Sequence, residues 1–280
     1  MRWAWRWPRS CVRAAPRVEM VIVTRPEREA LQWAASLQAR GIDAQVLPLI
    51  AISPPTDAAA LDAARERVTS YRAIMVVSSN AAQHFFDPKT AQTLTGKAPA
   101  AIKTRVWSPG PGTARALQAL GVDAAHIDIP ALDATQFDSE SLWAVVHGQI
   151  GPGDRVLIVR GTEAGATEEG TGRDWLARQI QAAGGQVDFV VAYTRGAPRW
   201  SAEQQARARV AAVDGSLWLL SSSQAVDNLC ATLNGQDWSQ ARALATHPRI
   251  AQAARAAGFG SVRECRPALD DVVASIESAP

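Results

Sequence analysis

The chain has 280 residues, 47% hydrophobic and 20% charged, a composition typical of a folded protein rather than a disordered or fibrous one. No apolar run approaches the roughly 20 residues needed to cross a bilayer. The three cysteines and four histidines show no metal-ligand spacing, so we expect no zinc site and a reducing, cytoplasmic environment. The net charge of +2 gives no general attraction to nucleic acid.

Residues 1–19 differ from the rest of the chain. The first 18 residues contain five arginines, three tryptophans and no acid, which leaves residues 19–280 with a net charge of −3. The arginine spacing would line one face of a helix, so a membrane-surface or targeting role is open. Pro8 and Pro16 interrupt the segment, however, and we favour a disordered or non-native N-terminal extension with Met20 as the natural start.

From Met20 onwards, strands alternate with helices. Residues 21–23 form an apolar strand, Pro26 opens a helix that ends at Gly41, and residues 46–52 are predicted to form a second strand. Further predicted strands at residues 73–77 and 106–107 each lead into a helix, and residues 137–141 cap another one.

The same order of elements recurs from residue 155. Corresponding strand ends and helix-terminating glycines lie 135 to 144 residues apart in the two halves. Several matches in the same order indicate an internal duplication. Strands that alternate with helices are typical of parallel sheets in a doubly wound α/β fold.

Polar side chains follow most of the predicted strands, at the position where open α/β sheets bind ligands. Most of them precede a helix, and free helix N–H groups beside small hydroxyls form anion sites. Each one alone is better explained as a helix cap. Together they predict an anion-binding cleft between two lobes, with these candidate binding residues: Thr24, Arg25, Ser78, Ser79, Asn80, Gly112, Thr113, Ser139, Arg160, Gly161, Ser222 and Ser223.

Tyr193 ends a predicted strand and is one of only two tyrosines. Its phenol is protonated at neutral pH and could donate a proton, although core packing is the commoner role of a tyrosine. Arg25 and Arg160 occupy the same repeat position, where either ligand contact or bracing between elements is expected. Residues 165–172 are predicted to form a flexible surface loop that could act as a lid.

Taken together, these motifs resemble the uroporphyrinogen-III synthase family over about residues 20–276. The resemblance rests on short stretches in a fixed order: 23–26, 47–50, 77–81, 110–114, 137–142, 159–161 and 190–195. It implies a lyase that closes hydroxymethylbilane with inversion of ring D and loss of water, giving uroporphyrinogen III for haem biosynthesis. It also implies no cofactor and no metal.

The resemblance further implies two flavodoxin-like lobes joined by a two-stranded connector, each lobe being built from both halves of the chain. Lobe 1 would comprise residues 20–50 and 197–280, lobe 2 residues 54–192, and the connectors would lie near 50–54 and 193–196. Tyr193 matches the family tyrosine proposed as the acid, and Thr113 matches a threonine that faces the substrate. In the second repeat no threonine follows the corresponding proline, and whether Thr246 or His247 replaces it stays open.

Two other functions are compatible with the pattern. One is a non-catalytic two-lobed binder of a small polyanionic ligand, and the other is an interaction module in which the hydroxyls serve only as caps. We expect a monomer that binds a small-molecule substrate and neither nucleic acid nor membrane. Transient contact with the preceding enzyme of the pathway is open.

Overall fold

The computed structural model describes residues 20–95, 104–131, 138–163 and 175–278. Its strands are β1 (Val21–Val23), β2 (Ala44–Val46), β3 (Ala51–Ser53), β4 (Ala73–Val76), β5 (Arg105–Trp107), β6 (Ile127–Asp128), β7 (Arg155–Glu163), β8 (Gln186–Gly196), β9 (Leu217–Leu220), β10 (Arg242–Ala245) and β11 (Ser261–Glu264). Its α-helices are α1 (Glu27–Gln38), α2 (Ala58–Glu66), α3 (Ser79–Phe85), α4 (Pro88–Thr95), α5 (Pro111–Ala119), α6 (Ser139–Val146), α7 (Trp175–Ala182), α8 (Ala202–Ala211), α9 (Ser223–Thr232), α10 (Pro248–Ala256) and α11 (Leu269–Glu277).

Three predicted features lie outside the described residues: the N-terminal extension at 1–19, the loop at 165–172 and the first residue of the motif that begins at Phe137. Among the described residues, no helix combines the length and the apolar character needed to cross a membrane.

The described chain divides into two compact units. The first unit contains the residues up to Ala51 together with those from Ala197 onwards, and the second unit spans Ile52–Gly196. Each unit contains one sheet, and each sheet is flanked by helices. The predicted α/β class with parallel sheets is therefore confirmed.

In the first unit, the strand order is β11-β10-β9-β1-β2, and every neighbouring pair is parallel. Strands β1 and β9 are wholly buried, because helices cover both faces of a parallel sheet. Helices α1 and α11 pack on one face. On the other face Trp218 meets Trp238 and Phe259, which stack on each other at 5.2 Å between ring centroids.

In the second unit, the strand order is β3-β8-β7-β4-β5-β6, and β8, β7, β4, β5 and β6 run parallel. One face of this sheet packs against α2, α3 and α5, and the other packs against α6 and α7. At the edge, the Arg105 guanidinium donates two hydrogen bonds to the Asp128 carboxylate. This bidentate pair holds the short strand β6 to β5.

The prediction of one strand at residues 46–52 is wrong, because the segment contains the end of one strand and the start of another. Strand β2 belongs to the sheet of the first unit, whereas β3 pairs with β8 in the sheet of the second unit. Pro48 lies between them and has no N–H to donate to a sheet. A continuous apolar run therefore concealed a passage between two sheets.

Candidate functional site

A β-bulge at the carboxyl end of strand β8 directs the side chain of Tyr193. Arg160 pairs with Val191 and Gly161 pairs with Tyr193, so Ala192 is an extra residue on β8. Alternation would send Ala192 and Tyr193 to opposite faces of the sheet, yet both belong to the core beneath α2, α3 and α5. Bulges commonly redirect side chains beside functional sites.

The Tyr193 ring lies directly against Gly161 on the neighbouring strand β7. A Cβ atom placed on Gly161 would be 2.3 Å from Cζ and 2.5 Å from Cε2 of the Tyr193 ring. These separations are far below van der Waals contact, so only glycine fits at this position. Gly161 is thus required for the placement of the phenol. From the sequence, Gly161 was expected to contact the ligand instead.

The Tyr193 hydroxyl lies 3.2 Å from the Ser78 hydroxyl, and either oxygen can be the donor. Ser78 follows strand β4 and caps α3, because its Oγ accepts a hydrogen bond from the Ala81 N–H at 3.1 Å. Ser79 and Asn80 form the first turn of α3, with Asn80 buried. Of the predicted residues, Ser78 therefore contacts Tyr193 directly, and Ser79 and Asn80 follow it in the first turn of α3.

Gly112 and Thr113 lie in the first turn of α5, which packs against α3 in the second unit. Thr113 is only 7% exposed, and its hydroxyl has no hydrogen-bond partner among the described residues. A Cβ atom at Gly112 would meet nothing within 4 Å, so the space beside its Cα is open. This turn offers a hydroxyl and free amides to a ligand.

Two other predicted residues of the second unit lie on the opposite face of the sheet. Ser139 begins α6, whose cap is Asp138: this carboxylate accepts a hydrogen bond from the Ser141 N–H at 2.8 Å. The Arg160 guanidinium lies 4.5 Å from the ring centroid of Phe189. The structure does not bring Ser139 or Arg160 to Tyr193, and their roles in binding stay predictions.

Thr24 and Arg25, at the end of β1, are engaged within the first unit. The Thr24 hydroxyl donates to the Leu219 carbonyl at 2.6 Å, which ties β1 to β9. The Arg25 guanidinium lies 4.3 Å from the centroid of Trp33 and 3.4 Å from the Glu29 carboxylate. Burial lowers the pKa of Arg25, against the opposing effect of Glu29. Of the two expectations for Arg25, bracing is the one that these contacts support.

A pocket of about 320 Å³ lies at the carboxyl ends of β9 and β10 in the first unit. We call it the hydroxyl pocket; it is lined by Ser221, Ser222, Ser223, Thr246, His247, Arg249 and Ile250. Ser222 occupies the cap position of α9, but its side chain makes no capping hydrogen bond. The first N–H groups of α9 and the Ser222 hydroxyl therefore remain available to a ligand.

The hydroxyl pocket contains both candidates, Thr246 and His247, for replacing the threonine that the second repeat lacks. Thr246 is 9% exposed and lines the pocket, and its hydroxyl has no hydrogen-bond partner among the described residues. His247 is exposed and caps α10, with Nδ1 accepting the Arg249 N–H at 3.1 Å. The His247 imidazole thus caps its own helix, whereas Thr246 lines the pocket without a hydrogen bond to another described residue.

The sequence interpretation missed His84, Ser221 and Arg249. His84 stacks on Tyr193, with 5.8 Å between ring centroids and 29° between the planes. Ser221 begins a run of three serines, so the sequence itself contained a signal for it. Arg249 follows the proline that opens α10. Nothing in the sequence distinguishes His84 from other polar residues of a short helix.

The fold and these two clusters define a class of protein. It is an α/β protein that presents hydroxyls and helix N-termini at the carboxyl ends of parallel sheets, an arrangement that suits an anionic ligand.

The sequence profile of the family described as Uroporphyrinogen-III synthase HemD matches residues 32–274. This match covers most of the chain, and the chain therefore belongs to the uroporphyrinogen-III synthase family.

Solved structures of such enzymes resemble the fold. A mutant uroporphyrinogen III synthase from the thermophilic bacterium Thermus thermophilus is 15% identical, with 94% of this chain and 98% of that chain covered and a TM-score of 0.50. Uroporphyrinogen-III synthetase from Helicobacter pylori is 13% identical, with 94% and 99% covered and a TM-score of 0.53. At these identities the likeness shows a shared α/β architecture.

Proposed function

We propose that this chain is a cyclising carbon–oxygen lyase that converts hydroxymethylbilane to uroporphyrinogen III, the reaction of its family. The observation that carries the proposal, beyond family membership, is the placement of Tyr193. Its ring is fixed against Gly161 and its hydroxyl lies 3.2 Å from the Ser78 hydroxyl, at the carboxyl end of the sheet. A phenol held in this way has a defined direction in which to donate its proton.

The substrate carries an acetate and a propionate on each pyrrole ring, so it is strongly anionic. The hydroxyls of Thr113, Thr246 and Ser222 and the free amides at the starts of α5 and α9 supply donors for these carboxylates. Helix N-termini favour anions through both their N–H groups and the helix dipole. We assign substrate binding to these residues, together with Ser79, Asn80, Gly112 and Ser223.

The reaction begins with loss of the terminal hydroxyl. Tyr193 donates its proton to this oxygen as the C–O bond breaks, so that water departs and leaves an electrophilic azafulvenium cation and the Tyr193 phenolate. Ring D attacks through its substituted carbon and forms a spiro intermediate, which fragments and closes again with ring D inverted. The closed ring then loses a proton, which gives the product and restores the Tyr193 phenol. After the first step, the protein's task is to orient the chain for one attack over the alternative.

The two units correspond, in this proposal, to two flavodoxin-like lobes of a duplicated chain. In the first unit the strand order β2-β1-β9-β10-β11 follows the flavodoxin order 2-1-3-4-5. In the second unit β8-β7-β4-β5-β6 follows the same order if the count starts at β7. The connectors near residues 50–54 and 193–196 would join the two lobes. We expect a cytoplasmic monomer.

The test is to supply freshly made hydroxymethylbilane and to identify the product isomer. The proposal predicts uroporphyrinogen III, with no added cofactor. A product made only of the symmetric isomer, which forms spontaneously by head-to-tail closure, would overturn it. Tight retention of the bilane without turnover would instead support the non-catalytic binder, which no feature of the described residues favours.

A further inference from the structure

We infer that His84 is a positioning residue for the reaction, because its imidazole holds the ring of Tyr193 in the orientation from which the phenol donates its proton. This inference rests on the proposed function and adds a residue that the sequence motifs do not contain. The observation behind it is a stacked contact with 5.8 Å between ring centroids and 29° between ring planes.

The Tyr193 ring is restrained by three different groups. Gly161 lies against it from the neighbouring strand, and Ser78 contacts its hydroxyl. His84 lies on α3, the helix that covers this face of the sheet. Without the imidazole, the ring would keep its hydroxyl contact and its strand contact but lose the stacked contact with His84. Stacked aromatic pairs contribute favourably beyond the area that they bury.

His84 is itself held in place at the end of α3. The Arg65 guanidinium donates to the His84 carbonyl at 2.6 Å and to the Phe85 carbonyl at 2.8 Å. Asp62 accepts a third hydrogen bond from the same guanidinium at 2.8 Å. The two bonds to the His84 and Phe85 carbonyls satisfy acceptors that the last turn of a helix leaves free. The same short helix thus carries Ser78 at its start and His84 near its end, both fixed against Tyr193.

His84→Ala and His84→Phe separate positioning from chemistry. We expect His84→Ala to lower kcat about threefold to tenfold with little change in KM, the size expected from one lost aromatic pair. His84→Phe retains a flat ring and should restore most of the rate. His147→Ala is the matched control, because His147 also pairs with an aromatic ring, Trp143, but on the exposed end of α6.

A double-mutant cycle tests whether His84 acts through the phenol. In a Tyr193→Phe background, the phenol proton is gone, so His84→Ala should have little further effect on kcat. A general structural role predicts that the two losses multiply. Multiplied losses, or a wild-type kcat in folded His84→Ala, would overturn the inference.

A measurement independent of activity keeps this inference separate from the proposed function. The chain has only two tyrosines, so labelling with ring-¹³C tyrosine gives two sets of ring signals, assigned with Tyr71→Phe. His84→Ala should shift the Tyr193 signals, and His147→Ala should leave them unchanged. Unchanged Tyr193 signals in His84→Ala would overturn the stacking whether or not the chain makes uroporphyrinogen III.

Discussion

At the carboxyl end of its sheet the second unit presents an aromatic hydroxyl, whereas the first unit presents aliphatic hydroxyls beside the starts of two helices. The Tyr193 ring is buried and packed against Gly161 and His84. The hydroxyl pocket is open, and the side chains of Thr246 and Ser222, which line it, make no hydrogen bond to another described residue. Under the proposed function, we therefore assign proton donation to the second unit and mainly substrate binding to the first.

Removing the phenol should give the largest effect. Tyr193→Phe loses the acid that assists departure of the hydroxyl, and a general acid contributes at least about 10²-fold to a rate. We expect kcat to fall by about that factor while the melting temperature hardly changes. The measurement is the initial rate of uroporphyrinogen III formation, with isomer analysis. A rate close to that of the wild type would remove Tyr193 from this role.

Filling the space beneath the phenol should give the next largest effect. In Gly161→Ala the added methyl would overlap the Tyr193 ring, which must move. We expect kcat to fall about tenfold and stability to fall by about 1–3 kcal/mol, as in other overpacked cores. Urea unfolding and steady-state kinetics measure the two effects.

Gly148→Ala is the control for that change, because a methyl group there would meet nothing within 4 Å. It should alter neither kcat nor stability appreciably. If Gly161→Ala behaved like Gly148→Ala, the close contact between Gly161 and Tyr193 would be contradicted.

A change in the hydroxyl pocket should affect binding instead of chemistry. Thr246→Val removes the hydroxyl and leaves a side chain of nearly the same volume. One hydrogen bond contributes about 1 kcal/mol net. We expect KM to rise about fivefold with kcat nearly unchanged, and Thr246→Ser to retain the wild-type KM. A fall in kcat without a change in KM would show that the division of roles between the units is wrong.

The smallest expected effect concerns acid stability, in which the units should behave alike. The Thr90 N–H lowers the pKa of Asp87 in the second unit. In the first unit burial alone would raise the pKa of Asp214, but hydrogen bonds from Ser216 and Arg207 outweigh it and lower the pKa. A carboxylate with a lowered pKa stabilises the fold above its unfolded pKa of about 4, and this contribution is lost as the pH falls further.

Asp87→Asn and Asp214→Asn should therefore be less stable than the wild type at pH 7 and lose less stability on acidification. Melting temperatures measured between pH 7 and pH 3 test this expectation. The expectation would be contradicted if the melting temperatures of both variants fell with pH as steeply as that of the wild type.

The sequence predicts the buried strands well because helices cover both faces of a parallel sheet. Continuous apolar runs therefore mark β1, β4 and β9 directly. The same criterion fails at residues 46–52, where one apolar run serves two sheets. Periodicity gives the type of an element but not the sheet that it joins.

The sequence also predicts which residues lie at strand ends, but not what their side chains contact. The bulge at Ala192 breaks the alternation that a sequence pattern assumes, and Tyr193 lies on the face of α3. Thr24 and Arg25 fit the pattern of ligand residues as well as Ser78 does, yet they bind Leu219 and Trp33. Such partners come from distant or differently facing residues, which no local motif contains.

The central claim is that the Tyr193 phenol protonates the departing hydroxyl, and a change of leaving group tests it most directly. In the aminomethyl analogue of the substrate, the amine is already protonated at neutral pH and departs as ammonia without a proton from the protein. The account predicts that Tyr193→Phe, slowed about 10²-fold with hydroxymethylbilane, is slowed by less than about tenfold with the analogue. An equal penalty with both substrates would contradict the claim.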